Sequence, residues 1–368
     1  MKIVCNKQEL VEAVSNIQRA VSTKSSVPAL EGILLKTEED KIELCGYDLE
    51  LGMTTKIPAR VEEPGSIVLS ARLFGDIVRR LPVDMVELSV DEKNMASIVS
   101  GASEFSIVGI LAEEFPELPV ITSETSVTIA HNILKSMIRQ TIFAVADNDA
   151  KPIHTGTLFE LGEDKIRLVS VDGYRLAIRE ETVKCEENIS FVVPGKTLSE
   201  VLKLLKDDET QLSFAVGKRH ILFQIGNYTV ISRLLEGEFL DYKSAIPPTQ
   251  TTEIIVKTRS FIESVERVSL LITDRLKSPI RCIFDDQEIK LSCSTAIGRA
   301  NDQLEAKIEG NTVEMGFNNR YLLDALRNSE GDEVKIQLNG ALSPMKVLPR
   351  EGNSFLFLVL PVRLKNSD

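Results

Sequence analysis

One interval constrains this chain more than any other feature: a pattern that returns every 124 residues. Residues 190–206 read as a short apolar strand (Phe191, Val192, Val193), then Pro194-Gly195, then a helix. Leu198, Val201, Leu202 and Leu205 fall on one face of that helix and Lys196, Glu200 and Lys203 on another. The same cation–acid–cation face stands 124 residues earlier as Arg72, Asp76 and Arg79, beside the apolar set Phe74, Ile77, Val78 and Leu81. It stands 124 residues later as Arg320, Asp324 and Arg327, beside Leu322, Ala325 and Leu326. A fixed interval with both faces preserved is an internal repeat, and the chain of 368 residues holds about three copies.

The repeat extends to other elements. Glu39-Asp40-Lys41-Ile42-Glu43-Leu44 returns as Glu163-Asp164-Lys165-Ile166-Arg167-Leu168, with a weaker third copy at 287–291; each is an acidic turn leading into an alternating strand. Each unit opens with a second amphipathic helix: Leu10, Val14, Ile17 and Val21; then Leu134, Ile138, Thr141 and Val145; then Phe261, Val265, Val268 and Ile272. The pattern predicts an α+β fold of three tandem similar domains, each an antiparallel sheet with two helices. Boundaries are expected in the Ser/Thr/Pro-bearing stretches near Thr125 and Thr251, giving domains 1–124, 125–250 and 251–368. Apolar runs are too short to span a bilayer, and the start of the chain reads as a strand rather than a signal peptide. Five cysteines without a Cys-x-x-Cys pair fit idle thiols in a reducing cytosol, so a cytoplasmic location is expected.

A net charge of −12 argues at first against nucleic acid. The charge is not evenly spread. The six predicted helices with their flanking turns (7–24, 72–80, 131–147, 196–206, 257–277, 320–327) hold eighteen Lys and Arg against nine Asp and Glu, a balance of +9. The rest of the chain therefore carries −21. Solvated helix faces with i,i+4 ion pairs are one reading. Yet Arg72, Lys196 and Arg320 sit at helix starts, where the macrodipole disfavours cations, and their acids lie four residues C-terminal, the weaker order for a helical pair. A neighbouring phosphate backbone explains those placements. With no Trp and few aromatics on these faces, the expected contact is sequence-independent and salt-sensitive rather than base stacking.

Catalytic constellations are thin. His131, His154 and His220 have no metal-ligand spacing to one another or to a cysteine. Gly195-Lys196-Thr197 resembles the end of a phosphate-binding loop, but Ser190 stands where the leading Gly belongs, so the segment reads as a turn of the repeat. Asp147 and Asp149 could hold a divalent ion in an enzyme acting on nucleic acid, or simply line a polar loop. No Gly-x-Ser-x-Gly elbow or Gly-x-Gly-x-x-Gly fingerprint occurs. A binding protein without cofactor, metal or catalytic activity of its own is favoured; a monomeric tandem-domain adaptor is the alternative that never touches DNA.

Further stretches carry a resemblance. Ser26-Val27-Pro28-Ala29-Leu30, Arg79-Arg80-Leu81-Pro82, Phe115-Pro116-Glu117-Leu118, Asp172-Gly173-Tyr174-Arg175-Leu176, Gly237-Glu238-Phe239-Leu240-Asp241-Tyr242, Gly316-Phe317-Asn318 and Leu360-Pro361-Val362-Arg363-Leu364 match one family pattern. From end to end the chain resembles the bacterial sliding clamps, the β subunits of DNA polymerase III. The resemblance implies half of a six-domain ring, closed as a head-to-tail homodimer around double-stranded DNA. It implies processivity for the replicative polymerase, docking of clamp loader and repair or replication proteins through short peptides, and no membrane partner. By resemblance Lys24, Arg72 and Lys196 look like DNA-contact positions, and Arg320 joins them through the repeat.

The family's peptide cleft, between its second and third domains, matches His154, Thr155, Val171, Gly173, Tyr174, Arg175, Leu176, Leu240, Ser244, Ala245, Tyr321, Pro344, Met345, Leu358, Val359, Leu360, Pro361, Val362, Arg363 and Leu364. Many relatives carry Pro in place of Leu240, Arg in place of Ser244, and Met in place of Leu360 and Val362, so a differently shaped pocket is expected. Phe105 and Ile107 against Leu270 and Leu271 match the family's ring interface. Residues 365–368 run past the usual end of the family.

Overall fold

A computed structural model describes residues 1–121, 125–147, 151–185, 187–273 and 275–364. The chain packs as two compact units, Met1–His131 with Lys203–Leu234, and Asn132–Leu202 with Leu235–Asp368. Six α-helices punctuate the strands: α1 (Lys7–Ile17), α2 (Ala71–Arg80), α3 (His131–Ile142), α4 (Gly195–Leu204), α5 (Thr258–Ser269) and α6 (Asn319–Arg327). Five follow a strand directly, and α6 follows after one residue, its N-cap Asn318. Ile189–Pro194, for example, ends at Pro194 and α4 begins at Gly195, so the Gly-Lys-Thr segment is a helix start and not a separate turn. The helices proper are shorter than the periodic stretches. Val145 and Ile272 lie in the turns that follow α3 and α5, where Ala144 N–H bonds Thr141 O and Ile272 N–H bonds Ser269 O.

The first unit is one twelve-stranded antiparallel sheet. From one edge its order runs Ser103–Val108, Met95–Ser100, Met85–Val90, Lys2–Asn6, Leu51–Glu63, Tyr228–Arg233, His220–Ile225, Gln211–Val216 and Thr125–Ala130. Leu51–Glu63 also pairs Lys41–Tyr47, which leads to Gly32–Glu38 and Ser66–Ser70. α1 and α2 lay Leu10, Ala13, Val14, Ile17, Phe74, Ile77 and Val78 into the core, all buried.

In the second unit, a nine-stranded sheet runs Ile189–Pro194, Gly156–Gly162, Lys165–Val171, Arg175–Thr182, Phe355–Val359, Met345–Pro349, Glu333–Leu338, Thr252–Lys257 and Lys307–Gly310. A separate four-stranded sheet runs Gly298–Glu305, Glu288–Thr295, Ile280–Asp285 and Val313–Phe317. α5 and α6 close one continuous core with both sheets, centred on Phe261, Val265, Phe284, Phe317, Leu322 and Phe357. The acidic turns of the repeat take left-handed backbone conformations at Glu39, at Glu163 and Asp164, and at Asp286 and Gln287, as tight antiparallel hairpins require.

Cys5, Cys45, Cys282 and Cys293 are buried, and burial pushes the thiols of Cys5, Cys45 and Cys282 up to about 12, well out of the reactive range. Among the described residues no helix is long and apolar enough to cross a membrane. No group of three His, Cys, Asp or Glu among them is placed to hold a metal ion. Asp149 of the candidate ion pair, and residues 365–368, lie outside the described residues.

Candidate peptide cleft and basic helix starts

Several of the expected cleft residues lie at or beside one hairpin turn, Asp172–Arg175. Asp172 Oδ1 accepts the N–H groups of Tyr174 at 2.9 Å and Arg175 at 3.0 Å, the side-chain-to-backbone turn that Asp favours. Gly173 between them has φ +90°, and a Cβ there would meet no heavy atom within 4 Å. Backbone conformation, not crowding, requires glycine at this lip. The chain then enters Arg175–Thr182, which pairs antiparallel with Phe355–Val359, Arg175 opposite Val359 and Leu176 opposite Leu358. Beyond that register Leu360 N–H bonds Tyr174 O at 2.9 Å.

Arg175 is only 4% exposed. Its guanidinium meets Asp172 Oδ2 at 2.9 Å, also bonds Asp324 of α6, and lies 4.6 Å from the centroid of the Tyr321 ring. Phe143 covers it from another side, 5.7 Å away. A buried guanidinium is tolerable because two carboxylates and an aromatic face replace its water. Tyr321 in turn stacks on Tyr174, with centroids 5.8 Å apart. A charge cluster thus fixes two tyrosines, one of them, Tyr174, 61% exposed.

The expected residues Leu240, Ser244 and Ala245 stand beside Tyr242. Its hydroxyl donates to Glu160 Oε2 at 2.6 Å, and Arg167 Nη1 donates to that hydroxyl at 3.2 Å. Burial and the Glu160 hydrogen bond push its phenol up to about 12. This anchors the 3₁₀ turn Tyr242–Ala245 and with it the exposed Leu240, Ser244 and Ala245. Ser244 Oγ donates to Asp241 O at 2.8 Å. His154 is buried in the turn Pro152–Thr155, edge-on to Phe239 at 5.5 Å, and burial, with Lys151 nearby, lowers its pKa. His154 and Leu240 line a shared cavity of about 610 Å³. Thr155 Oγ1 bonds Pro152 O at 2.7 Å.

The predicted cleft residues therefore divide in two. Val171, Leu176, Met345, Leu358 and Val359 are core, all 4% exposed or less. Gly173, Tyr174, Leu240, Ser244, Ala245, Leu360, Val362 and Arg363 are exposed, while Pro344, Pro361 and Leu364 are half-buried. Val362 bridges to Gly316, where an added Cβ would stand 2.5 Å from Val362 O and 2.8 Å from Leu364 Cδ2. Glycine at 316 is what lets the C-terminal segment run close along the edge strand Val313–Phe317 of the four-stranded sheet. Sequence reasoning missed the braces Arg167, Tyr242, Phe143 and Asp324. Asp324 and Arg167 enter the sequence patterns only through the repeat, Tyr242 only through one family stretch, and Phe143 not at all.

The basic helix starts are equally concrete. Arg72, Lys196 and Arg320 are each the second residue of α2, α4 and α6, and all are exposed. Neither Arg72 nor Arg320 has an ion-pair partner among the described residues, because the acids of the same faces are engaged elsewhere. Asp76 bonds Arg79 at 3.0 Å and Arg80 at 3.3 Å, which hold its carboxyl below the usual range. Asp324 bonds Arg175. Lys24 is exposed in the loop after α1, its carbonyl capped by Ser22 Oγ at 2.9 Å.

The expected interface residues lie at a sheet edge and at a helix end. Phe105 and Ile107 are on Ser103–Val108, the free edge of the first sheet, with Phe105 partly exposed. Leu270 caps α5 and is 80% exposed; Leu271 follows it. Gly298–Glu305, a second free edge, runs beside them.

Family models for the DNA polymerase III beta subunit match three successive stretches: the N-terminal domain at residues 1–119, the central domain at 128–241 and the C-terminal domain at 243–363. The Beta sliding clamp of Bacillus subtilis is 34% identical over 99% of this chain and 100% of its own, and that of Staphylococcus aureus 30% identical over 99% of each. Among solved structures, the DNA polymerase sliding clamp from Bacillus subtilis superposes with a TM-score of 0.96 at 33% identity, covering 99% of this chain and 100% of that one. A sliding clamp from Pseudomonas aeruginosa bound to griselimycin superposes with a TM-score of 0.94 at 25% identity, with the same coverage. With relatives of this identity aligned along nearly its whole length, the chain belongs to the DNA polymerase III beta subunit family, the beta sliding clamps.

Proposed function

We propose that the protein is a DNA sliding clamp: two copies close head to tail around duplex DNA and hold the replicative polymerase on its template, with no catalytic chemistry of their own. The three domains are 1–124, 125–250 and 251–368 on this reading, and its place of work is the cytoplasm. The observation that carries the DNA contact is the state of the helix-start cations. Arg72 and Arg320 are exposed, and the acids on their faces are paired with other cations. Meeting a phosphate therefore requires no existing pair to be broken, and contacts to phosphate alone permit sliding without sequence preference.

Closure is supported by two open sheet edges, Ser103–Val108 and Gly298–Glu305, one in each unit. Unpaired edges with apolar residues beside them invite pairing with another copy. Phe105 and Ile107 of one copy would then pack on Leu270 and Leu271 of the next. Peptides of polymerase, clamp loader and repair proteins would place apolar side chains between Tyr174, Leu240, Leu360 and Val362, each fully buried side chain contributing about 1.5–3 kcal/mol.

The test is retention on DNA after loading. A closed ring persists on a nicked circle and runs off a linear duplex of the same sequence. Equal retention on both overturns the ring. Phe105→Asp or Leu271→Asp should halve the mass in sedimentation; an unchanged mass overturns the interface.

A further inference from the structure

Beside the C-terminal segment lies a cavity of about 820 Å³ that the peptide cleft does not account for. Its charge is one-sided. Arg275, Lys277, Arg281, Arg299 and Arg363 line it, and no Asp or Glu among the described residues does. These cations come from four parts of the second unit: Arg275 and Lys277 from the connection after α5, Arg281 from Ile280–Asp285, Arg299 from Gly298–Glu305, and Arg363 from the C-terminal segment. Arg281 is neutralised by Glu314, 2.5 Å away on the neighbouring strand. Arg275, Lys277, Arg299 and Arg363 have no ion-pair partner among the described residues. In a chain of net charge −12, four uncompensated cations converging on one concave space repel one another and raise the local potential. An anionic ligand relieves that repulsion.

We propose that this cavity takes the carboxylate side chains of an acidic peptide flank, as the charged extension of the apolar cleft. The inference rests on the cleft reading above. Val362, Arg363 and Leu364 belong to both places: they are among the cleft residues, and they line the basic cavity. A chain whose apolar residues dock against Leu360 and Val362 passes directly over the cations. Guanidiniums suit carboxylates because two N–H groups can meet two oxygens side by side. Nucleic acid fits less well. A phosphate backbone is followed by cations along a track, whereas these converge on one pocket with an apolar margin.

The experiment uses the full chain and fluorescence anisotropy with three labelled peptides sharing one Leu- and Phe-bearing core. One carries neutral Gly-Ser flanks, one an Asp/Glu run before the core and one the same run after it. At low salt one of the acidic peptides binds about ten-fold more tightly than the neutral peptide, and added salt erodes the gain. The double variant Arg275→Ser/Lys277→Ser removes the gain while the affinity for the neutral peptide stays as in the parent. Circular dichroism melting of the variant confirms that it folds. If the neutral peptide binds and neither acidic flank adds affinity, or the gain survives in the double variant, the inference is overturned and the cleft stands. If no peptide binds, the cleft reading fails and takes the inference with it. A single-stranded oligonucleotide that binds more tightly than the acidic peptides, and loses that binding in the double variant, assigns the cavity to phosphates and overturns the proposal.

Discussion

Asp76 and Asp324 occupy the same place in two copies of one repeated helix, 248 residues apart, and have been put to different uses. In α2 the carboxylate stays on its own helix, bonded to Arg79 and Arg80 at the surface. In α6 it reaches off the helix to the buried Arg175, which also holds Asp172 and packs on Tyr321. The repeat fixes the backbone and the apolar face; the polar face is free to diverge. One copy keeps a solvated ion pair of little energetic consequence. The other turned the same residue into the support of Arg175 and, through it, of the Tyr321–Tyr174 stack of the proposed cleft.

The largest effect expected from this contrast is at Asp324. Asp324→Ala leaves a buried guanidinium short of one carboxylate and should cost about 3 kcal/mol of stability, read by chemical denaturation, together with a clear loss of peptide affinity. Asp76→Ala should shift the melting temperature by under about 1 °C and leave peptide binding alone. Equal penalties at the two sites would break the comparison.

Next in size is Gly316→Val. Its side chain would displace the Val362–Leu364 segment, so peptide affinity should fall by about ten-fold with dimer mass intact; unchanged affinity in anisotropy would show that this segment is not part of the cleft. Smaller again, Arg72→Ala and Arg320→Ala should behave alike despite the divergence of their neighbours. Each is expected to lower the salt dependence of DNA retention by about one unit of slope without touching peptide affinity. A loss of peptide affinity at either would mix the two functions that the comparison separates.

The smallest effect is that of pH. Burial lowers the pKa of His154, and of His131 and His220. The unfolded chain takes up these protons first, so stability should fall as pH drops below about 6.5. His154→Gln should remove its share, a change of roughly 1–2 °C in the difference between melting at pH 7.5 and pH 5.5. A His154→Gln chain with the parent's full pH response would show that the proton uptake lies elsewhere.

Much of this was legible in the sequence because it depends on near neighbours. Helix starts at Arg72, Lys196 and Arg320, the acidic hairpins, and the apolar faces follow from local periodicity and turn chemistry. What was not legible depends on distant partners. Arg175 looks like a surface residue until Asp324, 149 residues away, is brought to it. Tyr242 reads as ordinary core until its hydroxyl meets Glu160 and Arg167. The repeat itself concealed one connection. Tyr228–Arg233 belongs to the second copy by sequence, yet it pairs with Leu51–Glu63 of the first and fuses their strands into a single sheet. Period alone does not say which strand edges join.

The position of Phe355–Val359 inside the nine-stranded sheet has a consequence for synthesis. Its neighbour on one side is Arg175–Thr182, made roughly 170 residues earlier. While the chain is being translated, that earlier strand presents an unpaired edge to every other nascent chain nearby, for tens of seconds at the slower bacterial or cellular rates. Arg179 and the acidic residues Glu180 and Glu181 lie along that strand, and charge on an open edge discourages pairing with strangers. In the finished sheet Glu180 pairs with Lys165 and Arg167, and Arg179 with Glu181; before that sheet is complete the same residues would serve as its guard.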